Sequence, residues 1–485
     1  MAIAGVTIET GPQDWQILQR DAQGQASIAI AGTWLTPEST FSVQARLVHE
    51  STNDPVARHL DWQDAKLDPK TGRFRLTLRR VPQGGLYRLE TRLRRPLAGD
   101  ARAMRGDCVH HLGVGDVYLI AGQSNASGTG KGAVTDGPQL GVHLLGNDET
   151  WKLAVHPVED ATRSKHPVTV TSVFHGHSPW LAFGKRILAR TGIPVGLVPT
   201  ALGGSSVTQW VTDSGQPGPL TANLLDMARL AGGRVAGVLW HQGESDTGDA
   251  AHLDAYSARF GKLVRLLRRK LRQPDLPFIT GQLNVVSTVP DPARDRGWTR
   301  MRELQRQLAH DLERVWMAVT LDCPLSDEIH DSGTACVTIG ERYADLALEH
   351  LYGLPLLAAF PEPDTVRFAD SAQRELRLTF RNLAGDWTPF ARCDEFLVEA
   401  ESGFAAVEAV TCLPDRRTLR VLLRRPVSGK AILHAHFGCA PRVALRDDGG
   451  RCLTAFSVPI TPAPAEIAAA TPRQPRRPSR GPRVK

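Results

Sequence analysis

The sequence lacks the features that mark membrane-spanning proteins and disulfide-bonded proteins. It contains no window of about 18 apolar residues, so no segment is expected to span a membrane. Its seven cysteines form no Cys-x-x-Cys pair, and their odd, scattered number argues against a disulfide framework or a structural zinc site. We therefore expect reduced, mostly buried thiols.

Most of the net positive charge lies at one end of the chain. The net charge is +7, but residues 461–485 carry six basic side chains and one acidic side chain. That segment contributes +5 and leaves +2 for all other residues. A nucleic-acid-binding role for the body of the protein therefore has little support. The segment itself is rich in proline and arginine and is expected to be disordered.

A secretory signal is also missing from this sequence. Residues 1–7 contain neither the charged segment nor the sustained apolar segment that such a signal requires. Two interpretations stay open: a cytoplasmic protein, or a secreted or periplasmic protein whose signal has been removed. The sequence does not determine the oligomeric state.

The residue pattern changes along the chain and predicts a multi-domain α/β plus β protein. With 485 residues, 41% of them hydrophobic, the chain is long enough for several cores. Short alternating runs predict a β-sandwich over residues 1–112. Apolar strands near positions 117, 195, 235, 278 and 316 alternate with helical stretches, which predicts a doubly wound α/β layer over 113–357. Alternation returns over 358–461 and predicts a C-terminal β domain, followed by a tail at 462–485.

Ser124 is the leading candidate for a nucleophile. It follows the apolar run 117–121, which is typical of a buried parallel strand, and Gly122 allows a sharp turn before the serine. Strand ends are where α/β enzymes commonly carry their nucleophiles. Because most Gly-x-Ser segments are simple turns, the interpretation depends on support from other segments.

Two other predicted strands also end in groups that suit ester chemistry. Residues 198–206 end in the pair Gly203 and Gly204, whose exposed backbone N–H groups suit a developing oxyanion. Residues 238–245 end in polar side chains that include Gln242 and Glu244. The carboxyl ends of parallel strands meet at one edge of a sheet, so we expect these groups to lie near Ser124.

A carboxylate and a histidine at close spacing lie far downstream. Asp327 precedes His330 by three residues, which is near enough to orient the imidazole as a base for serine. Asp322 and Asp331 compete for the role of orienting carboxylate. The spacing favours Asp327 over both.

Together these segments resemble the blocks of the SGNH hydrolases, and specifically the sialate O-acetylesterase family of carbohydrate esterases. The resemblance covers roughly residues 113–357. It rests on Gly122-Gln123-Ser124-Asn125, Gly203-Gly204-Ser205, Trp240-His241-Gln242-Gly243-Glu244, and Asp327 with His330. The Pro and Lys that often follow the family's histidine are replaced by Asp331, Ser332 and Gly333, which leaves the pocket rim and the substrate open.

The resemblance implies a fold, a reaction and a set of roles. It implies an SGNH-type α/β/α catalytic layer flanked by β-sandwich-like domains, and a serine esterase that removes O-acetyl groups from sialic acid or a polysaccharide through an acyl-enzyme. Ser124, Asp327 and His330 would form the catalytic triad. The oxyanion would be bound by the backbone N–H groups of Ser124 and Gly204, with Gly203 as the near alternative, and by the side-chain amide of Gln242. Neither a metal nor an organic cofactor is expected.

Five further residues near these blocks are candidates for substrate contacts: Asn125, Trp210, Glu244, His175 and His177. Core packing is the alternative for Trp210, and support of the loop is the alternative for Glu244. His175 and His177 would share one face of an extended segment and suit a metal, but no third ligand stands at suggestive spacing, so a pocket-lining or structural role is favoured.

The expected partner is an acetylated sugar or polysaccharide, with no nucleic acid and no membrane. Two other functions stay open. One is an SGNH lipase or thioesterase that acts on other short acyl esters, and the other is a non-catalytic carbohydrate-binding protein.

Overall fold

The computed structural model describes residues 4–36, 40–95, 103–169, 176–289, 291–390 and 392–463. These residues form a mixed α/β structure with several sheets, and the α-helices of the described residues lie between Ser124 and His350. The apolar strands that the sequence indicated in the middle of the chain are present at 195–199, 237–241, 278–282 and 315–319, and at the end of a longer strand that finishes at Gly122.

The first part of the chain forms antiparallel layers, as its alternating runs predicted. The strands are β1 (Gly5–Thr10), β2 (Ile17–Gln19), β3 (Gln25–Leu35), β4 (Ser42–His49), β5 (Gln63–Asp64), β6 (Lys66–Asp68), β7 (Arg73–Pro82), β8 (Gly84–Arg94) and β9 (Ala103–Gly122). One sheet has the order β1-β3-β7-β6. In the other layer, β4 pairs with β5 and β8, and β8 pairs with the first part of β9. Side chains of both layers, among them Ile28, Phe74, Leu47 and Leu89, share one apolar core.

The middle of the chain alternates strands with helices. The elements are α1 (Ser124–Ser127), β10 (Val142–Leu145), β11 (Trp151–Leu153), α2 (Trp180–Thr191), β12 (Val195–Pro199), α3 (Pro219–Leu230), β13 (Gly237–His241), α4 (Ala250–Lys270), β14 (Phe278–Gln282), α5 (Pro292–Asp311), β15 (Val315–Val319) and α6 (Gly333–His350). The strand order is β11-β10-β12-β9-β13-β14-β15, and every neighbouring pair is parallel except β10 with β11.

Helices cover both faces of this sheet. Val117 and Leu119 of β9 belong to the core that includes side chains of α3, α4 and α5, whereas Tyr118 and Ile120 belong to the core that includes side chains of α2 and α6. Because successive strand residues point to opposite faces, a strand covered on both sides must be apolar throughout. This requirement explains the uninterrupted apolar run that ends at Gly122.

The last described part of the chain is again all β. Its strands are β16 (Glu362–Phe368), β17 (Glu375–Arg381), β18 (Phe396–Ala400), β19 (Gly403–Ala405), β20 (Val407–Cys412), β21 (Leu419–Leu423), β22 (Ala431–Ala435) and β23 (Phe456–Pro459). They form two antiparallel sheets, β16-β17-β21-β20 and β19-β18-β22-β23, around a common apolar core. Residues 464–485 of the predicted tail at 462–485 lie outside the described residues.

The predicted domain bounds remain predictions, but one of them falls inside an element. The predicted boundary between residues 112 and 113 lies within β9, which pairs with β8 over its first half and with β12 and β13 over its second half. A single strand therefore belongs to both layers.

Two expectations drawn from absent features can be compared with the structure. None of the helices in the described ranges combines the length and the hydropathy needed to cross a bilayer. All seven cysteines, each within a described range, are unpaired thiols, and five of them are buried.

Candidate functional site

Three chain segments meet where the central parallel strands end. Gly122 of β9 lies opposite His241 of β13, and Ile120 lies opposite Pro199 of β12. The backbone N–H of Leu202 donates to the Gly122 carbonyl at 3.1 Å, and that of Gln123 donates to the His241 carbonyl at 3.0 Å. The serine, glycine and glutamine segments singled out in the sequence are therefore brought together at one sheet edge.

Gly122 makes the turn that places Ser124. Its φ of 138° lies in a region that side chains disfavour, and a Cβ at this position would lie 2.0 Å from the His241 carbonyl oxygen. Ser124 then begins α1, a single helical turn in which the N–H groups of Ala126 and Ser127 both donate to the Gln123 carbonyl. The serine is half-buried.

The glycine block lies beside this serine. A Cβ built on Gly203 would approach the Ser124 Cβ to 3.8 Å, whereas one on Gly204, whose φ is 70°, would meet no heavy atom within 4 Å. Within the described residues, no protein acceptor is bonded to the backbone N–H of Ser124 or of Gly204. Both donors therefore remain available at the sheet edge.

Asp327 and His330 form the pair that their spacing indicated. The His330 Nδ1 lies 2.9 Å from Asp327 Oδ2 and 3.1 Å from Oδ1. The backbone N–H groups of Ile329 and His330 donate to the same carboxylate. Partial burial acts to raise the pKa of Asp327, but these hydrogen bonds outweigh it and hold the pKa at about 2. The carboxylate is thus ionised across the neutral range and fixes the ring.

The competing carboxylates have other partners. Asp322 accepts from Arg342 at 2.6 Å and from Arg446 at 2.8 Å, so it belongs to an ion-pair network. Asp331 is buried and accepts from the Asn284 amide at 2.7 Å, and burial raises its pKa. Neither makes a hydrogen bond to His330 in the described structure, which leaves Asp327 as the orienting group.

Asn125 connects the serine segment to the histidine segment. Its Oδ1 accepts from the backbone N–H of Asp331 at 3.1 Å, and its Nδ2 donates to Glu244 Oε1 at 2.8 Å. The residue after the serine therefore holds the residue after His330. Asn125 and Glu244 are both buried and bonded to each other, which fits the alternative of loop support for Glu244. Their substrate contacts stay predictions.

Gln242 is held in a way that does not suit a direct oxyanion donor. Its amide nitrogen lies 2.6 Å from Asp246 Oδ2, 3.1 Å from the Ser205 carbonyl and 3.2 Å from Gln123 Oε1. An amide nitrogen has only two hydrogens, and three acceptors already surround this one in a fully buried position. This arrangement favours a structural role, in which Gln242 connects the segments around Ser124, over the oxyanion role expected from the sequence, which stays a prediction.

Asp246 is the residue that sequence reasoning missed. It is fully buried and also accepts from the Ser206 hydroxyl at 2.5 Å and from the Val207 N–H at 3.0 Å. It thus ties the glycine segment to the glutamine segment. A carboxylate four residues after Gln242, just past a strand end, was the available signal.

Three residues predicted to contact substrate remain: Trp210, His175 and His177. Trp210 is fully buried and packs edge-on against Trp240 with ring centroids 5.2 Å apart, so it stacks within the core and offers no face to a sugar. His175 lies outside the described residues. His177 is half-buried beside His156 and belongs to a separate cluster.

A serine beside a glycine pair and a histidine–carboxylate pair, at the carboxyl edge of a parallel sheet, is typical of α/β ester hydrolases. Comparisons with known proteins agree. Residues 114–349 match the model of a family described as "Carbohydrate esterase, sialic acid-specific acetylesterase". A probable carbohydrate esterase of Arabidopsis thaliana is 26% identical over 254 residues, which are 48% of this chain and 90% of that relative.

A solved structure is similar over nearly the whole chain. The carbohydrate acetylesterase from Xanthomonas citri matches 93% of this chain and 99% of its own, with a TM-score of 0.64 and 19% identity. At this identity the likeness establishes the fold. The match of residues 114–349 to this carbohydrate esterase family confirms the resemblance seen in the sequence, and the protein is an esterase.

Proposed function

We propose that the protein removes O-acetyl groups from an acetylated carbohydrate through an acetyl-enzyme on Ser124. The observation that carries the proposal is the hydrogen bond between Asn125, the residue after Ser124, and the backbone N–H of Asp331, the residue after the His330 that bonds to Asp327. The matching family and the Xanthomonas citri protein are both acetylesterases, which supports acetyl as the transferred group.

In the first half of the reaction, Ser124 Oγ attacks the acetyl carbonyl carbon while His330 takes the hydroxyl proton. Asp327 stabilises the imidazolium and keeps Nδ1 protonated, so that Nε2 acts as the base. The carbonyl oxygen becomes an anion, for which the N–H groups of Ser124 and Gly204 are the available donors.

Collapse of this intermediate breaks the bond to the sugar oxygen. His330 returns its proton to that oxygen, which releases the sugar hydroxyl and leaves an acetate ester on Ser124. In the second half, water takes the place of the serine hydroxyl as nucleophile. His330 again accepts a proton and then donates it to Ser124, so that acetate is released.

Gln242 and Asp246 serve this reaction as positioning residues. Asp246 bonds to both the glycine segment and Gln242, so it fixes the distance between the two walls on either side of Ser124. Segments held at a fixed distance keep the Gly204 N–H in place as a donor for the oxyanion. Donors that need no rearrangement stabilise the charge of a transition state strongly.

The test is acetate release from acetylated sialosides, acetylated xylan and acetylated pectin by the full chain. Butyrate and palmitate esters of a chromogenic alcohol serve as the comparison. Acetate release from at least one of the carbohydrates, with acetate esters preferred over palmitate esters, is the expected result. A preference for palmitate would assign a lipase, and the absence of any turnover would leave a carbohydrate-binding protein.

A further inference from the structure

A second group of reactive side chains lies apart from the Asp327–His330 pair. Asp136, His156 and His177 each offer one metal-ligating atom, and these atoms all lie within 4.8 Å of one another. Asp136 is buried and the two histidines are half-buried. His177 thus has two possible co-ligands, Asp136 and His156, which the His175–His177 spacing did not reveal.

The carboxylate of this cluster has one oxygen oriented by a lysine and the other aimed at a histidine. Asp136 Oδ1 accepts from Lys185 Nζ at 2.9 Å, and Oδ2 lies 2.8 Å from His156 Nε2. Two ligands that share a zinc ion at bond lengths of about 2.0–2.1 Å lie roughly 3 Å apart. The Oδ2 to Nε2 separation therefore suits ligands of one ion, and Lys185 is placed to orient the carboxylate from behind.

His177 has an unused ring nitrogen. The rings of His156 and His177 lie with centroids 4.5 Å apart, and the Nδ1 atom of His177 is enclosed without a hydrogen-bond partner among the described residues. The ring of His177 can therefore supply one ligand beside the pair formed by Asp136 Oδ2 and His156 Nε2.

We propose that Asp136, His156 and His177 bind a divalent first-row transition-metal ion, for which Zn²⁺ is the best-matched probe, with water completing the coordination. Two imidazoles and one carboxylate are a donor set that such ions accept. Mg²⁺ and Ca²⁺ prefer oxygen ligands and are disfavoured here.

The position of the cluster gives the ion a structural role. His177 exchanges backbone hydrogen bonds with Gly130, at 2.8 and 3.0 Å, and Gly130 lies three residues after the end of the helical turn that begins at Ser124. A bound ion would fasten the segment that contains Asp136 to the segment that contains His177. It would thereby stiffen the loop that follows the nucleophile without contacting Ser124.

The first experiment measures Zn²⁺ binding to the full chain after treatment with a chelator. Calorimetric titration is expected to give one ion per chain, with a higher melting temperature in Zn²⁺ than in Mg²⁺. His177→Ala and Asp136→Asn should each weaken binding at least about tenfold. His59→Ala, which removes an exposed histidine in the first part of the chain, should leave it unchanged.

The second experiment uses Co²⁺, because its visible absorption reports ligand geometry independently of stability. The full chain is expected to show a visible band that His177→Ala abolishes while the far-ultraviolet circular dichroism is retained. If Zn²⁺ and Co²⁺ do not bind, the cluster is an ion pair between Asp136, His156 and Lys185, and the proposal is overturned. Binding that survives both variants would overturn it as well, by assigning the ion to other side chains.

Discussion

At the scale of single residues, Ser124 is the group on which the proposed reaction depends. Ser124→Ala is expected to lower kcat/KM by about a thousandfold or more without lowering the melting temperature, because no other hydroxyl can carry the acetyl group. The measurement is hydrolysis of a chromogenic acetate. Ser214→Ala, at an exposed position, is the matched control and should be silent. An organophosphonate that labelled a serine other than Ser124 would contradict the assignment.

The low pKa of Asp327 predicts how kcat/KM depends on pH. Since the pKa of Asp327 is held at about 2, its carboxylate stays charged throughout the working range, and kcat/KM should lose the contribution of this carboxylate only as the pH falls toward 2. His330→Ala should abolish most activity, because it removes the base. Asp327→Asn should be less damaging but still severe, because it disturbs the tautomer. If Asp331→Asn were crippling and Asp327→Asn nearly silent, the orienting carboxylate would be Asp331.

The effect of Gln242→Ala on stability distinguishes a direct oxyanion donor from a residue that positions the site. A direct oxyanion donor would lower kcat on removal and leave the melting temperature alone. The bonds of Gln242 to Asp246 and Ser205 predict instead that Gln242→Ala lowers kcat and also the free energy of unfolding, by about 1–3 kcal/mol, because it leaves buried acceptors unpaired. Asp246→Asn should reproduce both effects. Loss of kcat at an unchanged melting temperature would restore the donor role.

At the scale of elements, the turn between β9 and α1 depends on the absence of a side chain at Gly122. Gly122→Ala would place a Cβ 2.0 Å from the His241 carbonyl oxygen at a φ of 138°, so it should force β9 and β13 apart and abolish activity along with stability. Gly353→Ala is the control: its φ is 69°, but its Cβ would lie in open space, so it should cost only about 1 kcal/mol. Chemical denaturation of the two variants measures the difference. Equal losses would show that the φ alone, and not the contact, is decisive.

The sequence predicted elements where a local pattern was strong. One of the expected helical stretches is α4, Ala250–Lys270, which was predictable because Phe260, Leu263, Val264 and Leu267 recur at helical spacing, and these side chains are buried. The short strands β10 and β11 were missed, since four and three residues carry too little periodicity to distinguish them from a loop.

Contacts between site residues were likewise predictable only where the two residues are close in sequence. The Asp327–His330 bond was predictable because both residues lie within one turn of chain. The partner of Gln242 and the cluster of Asp136 with His156 and His177 were not. Each depends on how loops of unpredictable course approach one another, which no periodic pattern encodes.

At the scale of the whole molecule, the layers are bonded too closely to be independent. β9 runs through two layers, and Ile17 of β2 lies in the core of the central sheet. Gln282 of β14, in the central sheet, exchanges hydrogen bonds with the backbone of Ala455 near β23. Arg302 of α5 is fully buried and donates to the Gly438 and Cys439 carbonyls of the last β region. We therefore expect one cooperative unfolding transition.

The dependence of stability on pH that Asp322 contributes tests whether the regions unfold together. Burial acts to raise its pKa, but the hydrogen bonds and charges of Arg342 of α6 and Arg446 of the last β region hold it at about 2, below the ordinary 3.8. A carboxyl whose pKa is lower in the folded state contributes stability above its unfolded pKa and loses it as pH falls. The contribution, on the order of 2 kcal/mol, should be present above about pH 4 and disappear toward pH 2.

Calorimetry between pH 2 and pH 7 is the measurement, with Asp322→Asn expected to reduce stability at pH 7 and to flatten the pH dependence. Asp213→Asn, which removes an exposed carboxylate paired with Arg259, is the control and should change little. Because Asp322 bonds to both the central and the last region, its loss should lower the single transition as a whole. Splitting into two transitions, with only the later β strands destabilised, would show instead that the regions unfold separately.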